Sequence, residues 1–202
     1  MMEERRFGMR KRRPIVEKTL LMKRENALLV VIDVQESLVR AMDQGVAQKV
    51  IRNITTLLTF AGEMKIPVAA TEQYPRGLGK TVPEIQKHLG PVEPVEKVSF
   101  SCCGADAFNR YLETLGRTQI LLTGMETHVC VLQTAADLVV RGHEVHVVAD
   151  AVCSRRKPDW KVGLRWMETR GVTVTTTEIV TFQFLREAGT DEFKRLSKLF
   201  RA

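Results

Sequence analysis

The apolar positions of the chain form short continuous runs that alternate with stretches of helical spacing. The clearest run, ALLVVI at 27–32, contains no polar residue and is followed directly by Asp33. A continuous apolar run of this length is typical of a parallel strand that is buried on both faces. Similar runs predict five further strands, at 66–70, 95–98, 119–122, 144–149 and 172–175.

Between these runs, apolar residues recur at intervals of three and four, which indicates helices. The predicted helices cover 46–62, a short piece after Pro83, 105–115, a stretch from Cys130 to about 141, 158–170 and 191–200. Because strands alternate with helices without a repeat or a linker, we expect one α/β domain. Its mostly parallel six-stranded sheet should be covered by helices on both faces, which gives three α/β/α layers.

Residues 71–80, with the sequence TEQYPRGLGK, show neither helical nor strand periodicity. Three residues that favour turns, Pro75, Gly77 and Gly79, fall within them. We therefore expect a loop that leaves the carboxyl end of the second strand. It should overhang the edge of the sheet where ligands bind in open α/β folds.

The net charge of +7 is concentrated at the start of the chain. Residues 1–24 hold nine basic and three acidic groups, whereas the remaining chain holds 22 basic and 21 acidic groups. We therefore divide the chain into a basic arm, 1–24, and a nearly neutral domain, 25–202. The arm is expected to be solvated or to pack on a neighbouring subunit; binding to nucleic acid or to an acidic surface is a further alternative. A natural start at Met22 would remove it altogether.

The sequence shows no sign of secretion or of a membrane span. The arm lacks an apolar core of the kind found in signal peptides, and no apolar run approaches the ~20 residues that a membrane helix needs. The four cysteines include an adjacent pair and no C-x-x-C spacing, which favours neither a disulfide framework nor a zinc site. A reducing compartment, and hence a cytoplasmic location, is the simpler interpretation.

Cys130 lies where the strand 119–122 gives way to a helical pattern. The free backbone N–H groups and the positive dipole end of a helix start favour an anion there. A cysteine at such a place can hold its proton weakly, and the thiolate is the reactive form. On this stretch alone, a small buried apolar residue is an equally good interpretation of Cys130.

Two other reactive side chains are predicted at the same edge of the sheet. Asp33 follows the first strand and Lys97 lies in the third, so both can converge with Cys130. Asp33 could accept the thiol proton and later activate water, while Lys97 could stabilise the thiolate. Taken singly, the aspartate could cap a helix and the lysine could be a solvated strand end.

The chain resembles the isochorismatase-like cysteine hydrolases from about residue 28 to residue 180. Three pieces carry the resemblance: VIDVQ at 31–35, EKVSF at 96–100 and GMETHVCV at 124–131. The resemblance implies a Rossmann-like α/β/α fold and a catalytic triad of Asp33, Lys97 and Cys130. It also implies a cis peptide bond between Met125 and Glu126, which would aim the N–H groups of Glu126 and Cys130 at one oxygen as an oxyanion hole.

Departures from the family pattern bear on the substrate. Nicotinamidases of this family carry a D-x-H metal motif after the second strand, where this chain has TEQY at 71–74, so we expect no metal and no other cofactor. The loop EQYPRGLG resembles the branch called isochorismatase domain-containing, whose substrates are poorly defined. Gln73, Tyr74 and Phe100 are the expected substrate-binding residues.

The favoured function is hydrolysis of a C–N bond in a small amide-like molecule through an acyl intermediate on Cys130. Isochorismatases that cleave a vinyl ether lack this cysteine. A non-catalytic binding protein with the same fold is the main alternative, and a nucleic-acid-binding role of the arm is disfavoured because the domain is nearly neutral and poor in aromatic residues. We also expect a homo-oligomer, and we expect His128 and His143 to be structural or solvated.

Overall fold

The computed structural model describes residues 21–200 of the 202-residue chain. Most of the predicted basic arm therefore lies outside the described residues. Its last part is packed on the domain. Met22 is fully buried in the core, and its backbone N–H donates to the side-chain oxygen of Gln183. The next backbone N–H, of Lys23, donates to the side-chain oxygen of Gln119.

Six strands form one sheet in which every neighbouring pair is parallel. The spatial order is β3-β2-β1-β4-β5-β6, so the first strand lies in the interior. Parallel strands need crossover connections, and the intervening helices supply them. The strands are β1 Ala27–Ile32, β2 Val68–Gln73, β3 Val95–Lys97, β4 Gln119–Met125, β5 Glu144–Cys153 and β6 Thr173–Thr175.

Helices cover both faces of this sheet, which confirms the predicted α/β fold. They are α1 Glu36–Ala41, α2 Gln44–Met64, α3 Pro75–Leu78, α4 Pro83–Leu89, α5 Asp106–Leu115, α6 Leu132–Val140, α7 Lys157–Glu168, α8 Thr177–Leu185 and α9 Asp191–Leu196. Short 3-10 turns at Cys102–Gly104 and Ser197–Phe200 and a π-helical turn at Thr127–Val131 complete the described elements.

Two hydrophobic cores lie on opposite faces of the sheet. Side chains alternate along a strand, so the odd-numbered residues of β1 pack with α2, α4 and α8, and the even-numbered residues pack with α5, α6 and α7. All six residues of β1 are buried. This double burial explains why the first strand is an unbroken apolar run.

Several boundaries differ from the sequence prediction. The second strand begins after Pro67 and extends to Gln73, because proline cannot donate to the ladder and the following residues pair with β1 and β3. The predicted loop 71–80 is thus part strand and, at α3, part helical turn. The third strand stops at Lys97, and the last, predicted from residue 172, begins at Thr173.

The fourth and fifth strands are longer than predicted, and helices α1 and α8 were not predicted. β4 and β5 are paired as far as Met125 and Cys153, past an irregularity in register. Helix α8 carries buried residues such as Phe184 but exposes Ile179 and Phe182, so it lacks the one-sided apolar stripe that identifies a helix from sequence. The predicted closing helix 191–200 is α9 followed by the last 3-10 turn.

Candidate active site

An ion pair between two fully buried side chains forms the centre of the candidate site. The Nζ atom of Lys97 lies 2.7 Å from Oδ2 of Asp33, and neither side chain is exposed to solvent. Asp33 follows β1, Lys97 ends β3, and β2 lies between these strands. The predicted convergence at the carboxyl edge is therefore present for this pair, and neither residue is a helix cap or a solvated strand end.

Further hydrogen bonds compensate for the removal of these two charges from water. Lys97 Nζ also donates to Oε1 of Gln73 at 2.7 Å and to the carbonyl oxygen of Phe100 at 3.1 Å. The second oxygen of Asp33, Oδ1, accepts from the hydroxyl of Thr71 at 2.7 Å. A buried ion pair needs such additional partners, because attraction alone does not offset the desolvation of both groups.

Asp33 has a φ of 51°, in the left-handed region. Aspartate tolerates this region better than most residues, and unusual backbone conformations of this kind are concentrated at functional sites. The conformation is held by the backbone N–H of Asp33, which donates to the carbonyl oxygen of Thr71, and by its carbonyl oxygen, which accepts from Gln35 N–H. The chain is thus turned at the residue that carries the carboxylate.

Cys130 is brought to this ion pair by the π-helical turn that follows β4. Cys130 is 5% exposed, and its thiol is close enough to Asp33 and Lys97 for both charges to act on it. Burial raises the pKa of the Cys130 thiol, the Asp33 carboxylate raises it further, and Lys97 opposes the rise. The expectation of a weakly held proton is therefore wrong for the unliganded protein, because burial and the adjacent carboxylate outweigh the lysine. Because its pKa is raised above the ordinary value of a thiol, Cys130 is protonated at neutral pH.

The turn between β4 and Cys130 depends on close approach of the backbones. The peptide bond between Met125 and Glu126 is cis, as the family resemblance implies. Gly124 has a φ of 108° and pairs with Ile32 of β1, and a Cβ atom there would collide with the carbonyl oxygen of Ile32. Only glycine satisfies both conditions. The Glu126 carbonyl oxygen accepts from the N–H groups of Val129 and Val131 and so closes the turn.

Two contacts link this turn to the end of β5. Oε1 of the buried Glu126 accepts from the backbone N–H of Arg155 at 3.2 Å and from its Nε at 3.0 Å. Nδ1 of His128 lies 2.9 Å from the hydroxyl oxygen of Ser154. His128 thus has a structural contact, whereas the role of Arg155 was not visible in the sequence, since no motif distinguishes it from the neighbouring basic residues.

The three expected substrate-binding residues differ in their surroundings. Gln73 is buried, and its side chain is engaged with Lys97 through Oε1 and with the carbonyl oxygen of Val98 through Nε2. Tyr74 and Phe100 are 55% and 53% exposed. Both are therefore accessible near the carboxyl edge, while Gln73 acts within the protein on Lys97.

The other cysteines are free and buried. Burial raises the pKa of Cys102 to about 12, and burial with the nearby Glu126 raises the pKa of Cys153 to about 12. Cys102 also lies close to the site, with its Sγ atom 3.7 Å from the Thr71 hydroxyl oxygen. The pKa of Cys130 is likewise raised by burial and by Asp33.

Glu72 lies in the segment 71–74, where nicotinamidases of this family carry the D-x-H metal motif. Its carboxylate is hydrogen-bonded within the protein. Its Oε1 accepts from the backbone N–H and the hydroxyl of Thr81, and its Oε2 accepts from Lys80 Nζ. Within residues 21–200 no group of three or more His, Cys, Asp and Glu side chains is arranged to hold a metal ion. The same residues contain no helix that is long and apolar enough to cross a membrane.

The fold and the site define the class of protein: a parallel α/β/α domain with a buried Asp–Lys pair against a cysteine. The family model described as Isochorismatase domain matches residues 27–179. The chain therefore belongs to the isochorismatase family. It is 36% identical over 180 residues to mouse isochorismatase domain-containing protein 2A, covering 88% of this chain and 84% of that protein. This relative agrees with the branch inferred from the loop.

Two other relatives are comparably similar. The secreted isochorismatase effector Isc1 of Phytophthora sojae is 38% identical over 181 residues, covering 87% of this chain and 85% of that protein. A solved structure titled MAR1 ribonuclease, from Caenorhabditis elegans, has a TM-score of 0.81 and 35% sequence identity, covering 89% of this chain and 92% of that one. The predicted fold class agrees with this structure.

Proposed function

We propose that the chain is a cysteine hydrolase that cleaves an amide-like C–N bond of a small molecule through an acyl intermediate on Cys130. The observation that carries this proposal is the buried position of Cys130 beside an Asp33 carboxylate that is itself paired with buried Lys97. A nucleophile, a base within reach of its proton and a group that orients the base are the elements of covalent catalysis.

The raised pKa of the thiol determines how the first step proceeds. Cys130 Sγ forms a bond to the carbonyl carbon of the substrate while its proton passes to Asp33, so a free thiolate need not accumulate. The carbonyl π electrons move to oxygen, and this oxyanion lies near the N–H groups of Glu126 and Cys130, the proposed oxyanion hole. When the C–N bond breaks, the nitrogen leaves with the proton held by Asp33.

The second step releases the acyl group. Asp33, again ionised, removes a proton from water, and the oxygen of that water attacks the thioester carbon. The C–S bond breaks, sulfur recovers a proton from Asp33, and a carboxylic acid leaves. Lys97 remains charged and holds Asp33 in place, with Gln73 and Thr71 as positioning residues. Tyr74 and Phe100 are the proposed substrate contacts.

The remaining assignments are also proposals. We propose that the part of the predicted arm before Met22 is not needed for catalysis, whereas Met22 belongs to the domain core. We also propose that the protein works in the cytoplasm, where four free thiols are stable, and that it assembles with copies of itself. Sedimentation of the full chain tests the last point.

An activity screen tests the proposed function. Small primary and secondary amides are offered to the wild-type protein and to the variants Cys130→Ala and Cys153→Ala, with release of ammonia or amine as the readout. A short single-stranded RNA is included because of the ribonuclease title of one structural relative. We expect amide hydrolysis that Cys130→Ala abolishes and Cys153→Ala retains. RNA cleavage that survives Cys130→Ala, with every amide inert, would reject the proposal.

A further inference from the structure

A cleft of about 510 Å³ opens beside the nucleophile turn, residues 126–131, which carries Cys130. The cleft lies between the start of α2, the end of β5 and the start of α7. None of Asp33, Lys97 and Cys130 lines it. Its volume lies within the range of small-molecule sites, and its lining is mainly apolar, as is usual for such sites. It is therefore a separate cavity that the hydrolytic mechanism does not use.

The walls of the cleft are mainly apolar. Its apolar lining includes Val46 and Val50 of α2, Val152 of β5 and Trp160 of α7. Val50 and Val152 are buried, while Val46 is 45% exposed and Trp160 is half-buried. The Trp160 indole N–H is satisfied by the carbonyl oxygen of Ala149 at 3.2 Å, so the ring contributes a fixed apolar face. Such walls fit a flat hydrocarbon body.

The charged side chains of the lining favour an anionic group on that body. Asp43 is engaged in capping α2 through the N–H of Val46, and Asp150 accepts from the N–H and hydroxyl of Thr177. Lys49 and Lys157 also line the cleft, and within residues 21–200 neither ammonium group forms an ion pair. The carboxylates are thus satisfied by the protein, whereas the two lysines remain available to a ligand.

Two residues of the lining also touch the nucleophile turn. Ser154 contacts His128, and Arg155 binds Glu126, the residue on the carboxyl side of the cis peptide bond. A ligand that fills the cleft lies against Ser154 and Arg155. These two side chains hold His128 and Glu126 of the turn. We propose that this cleft binds a small organic anion with an aromatic or similarly flat apolar body, and that its occupancy alters the accessibility of Cys130.

Trp160 supplies a direct readout of binding. The chain has two tryptophans, so the variant Trp166→Phe leaves Trp160 as the sole reporter. Benzoate, which carries both features, is compared with benzyl alcohol, which lacks the charge and has no amide bond to cleave, and with acetate, which lacks the apolar body. We expect a saturable change in Trp160 emission with benzoate, weaker binding of benzyl alcohol and no effect of acetate. Equal affinity for benzoate and benzyl alcohol would overturn the assignment of an anion.

Charge variants test the role of the rim. Lys49→Gln combined with Lys157→Gln should weaken benzoate about fivefold, the scale of exposed ion pairs. The matched control, Lys161→Gln combined with Lys198→Gln, removes the same charge outside the cleft and should leave the affinity unchanged. If both double variants bind benzoate as tightly as the parent, the proposed site is wrong.

Coupling to Cys130 is measured as the rate of its alkylation by iodoacetamide with and without saturating benzoate. We expect a changed rate in the parent and in the control double variant. Benzoate binding with no change in the alkylation rate would refute the coupling. Neither readout depends on hydrolysis, so failure of the proposed function would leave the test intact.

A second copy of the chain could cover the cleft instead. In that case Trp160 would be shielded from quenching by acrylamide, and dilution would remove the shielding and lower the sedimentation coefficient. This result would also overturn the proposal.

Discussion

The side-chain oxygen of Gln73 lies 2.7 Å from the Nζ atom of Lys97, so the lysine that pairs with Asp33 is held from a second side. The amide nitrogen of Gln73 donates to the carbonyl oxygen of Val98, which fixes the direction of the amide group. Gln35 in turn holds the backbone of Gln73, accepting from its N–H at 2.7 Å and donating to its carbonyl oxygen at 3.0 Å. Lys97 is thus positioned by a continuous buried hydrogen-bond network.

Replacing Gln73 with methionine should lower kcat for the amide substrate. The change keeps the length of the side chain but removes one acceptor of a charged donor, an interaction commonly worth ~1.5–3 kcal/mol, or about 10- to 100-fold in rate. Gln86→Met, on the exposed side of α4, is the matched control and should retain full activity. A Gln73→Met protein with unchanged kcat and increased KM would instead place Gln73 in substrate binding.

Asp33→Asn should separate thiol reactivity from catalysis. The Asp33 carboxylate raises the pKa of Cys130, so its removal should lower that pKa and move alkylation by iodoacetamide to lower pH, while amide hydrolysis is lost with the base. Intact-mass analysis over a pH series measures the first effect. Asp106→Asn, an exposed change on α5, serves as control. If Asp33→Asn is alkylated more slowly than the wild type at every pH, the electrostatic account of this thiol is wrong.

Lys97→Met should reduce kcat ~100- to 1000-fold, the usual effect of removing a fixed charge from a dry site. The variant leaves the buried Asp33 carboxylate without its counter-charge, so the carboxyl is expected to take up a proton and lose its function as a base. Lys97→Arg should recover part of the activity, because its charge is kept but its geometry differs. Lys87→Met is the exposed control. Full turnover by Lys97→Met would remove the lysine from the site.

The buried His146 should make stability depend on pH. Burial lowers the pKa of His146 below its unfolded value of about 6.5, although Glu144 opposes this shift. At a pH between the two pKa values of His146, the unfolded chain binds more protons than the folded protein. The contribution of His146 to the free energy of unfolding is therefore complete above the unfolded pKa, and it is lost as the pH falls towards the folded pKa. Urea unfolding at several pH values should show a smaller loss for His146→Gln than for the wild type. His88→Gln is the exposed control, and equal losses in all three proteins would exclude His146.

Met22 should contribute to stability although the preceding arm does not. It is fully buried against the first core, so Met22→Ala should cost ~2–5 kcal/mol of unfolding free energy. A chain that begins at Met22 retains this side chain and should keep its melting temperature within a few degrees. Thermal unfolding of both proteins measures the difference. A truncated chain that loses as much stability as Met22→Ala would show that the arm is docked on the domain.

The fold class and the meeting of Asp33 with Lys97 could be predicted from the sequence alone. The unbroken apolar run of β1 reports burial on both faces, and Asp33 and Lys97 were found because strand ends meet at one edge of a parallel sheet. The motif around Cys130 gave the family and the position of the cis peptide bond. The arm lies outside the described residues except at its end, so its role stays a prediction.

The raised pKa of Cys130 and the hydrogen bond between Gln73 and Lys97 could not be predicted from the sequence, because both depend on the tertiary structure. A helix start favours a thiolate, but the burial of the thiol and its contact with Asp33 come from residues distant in sequence and act in the opposite direction. From the sequence, the amide side chain of Gln73 could equally bind a substrate. It hydrogen-bonds to Lys97 because the ends of β2 and β3 are paired in the sheet. The local sequence pattern indicates which reactive residues lie at the strand ends. Their desolvation and their hydrogen-bond partners depend instead on which strands lie side by side in the sheet.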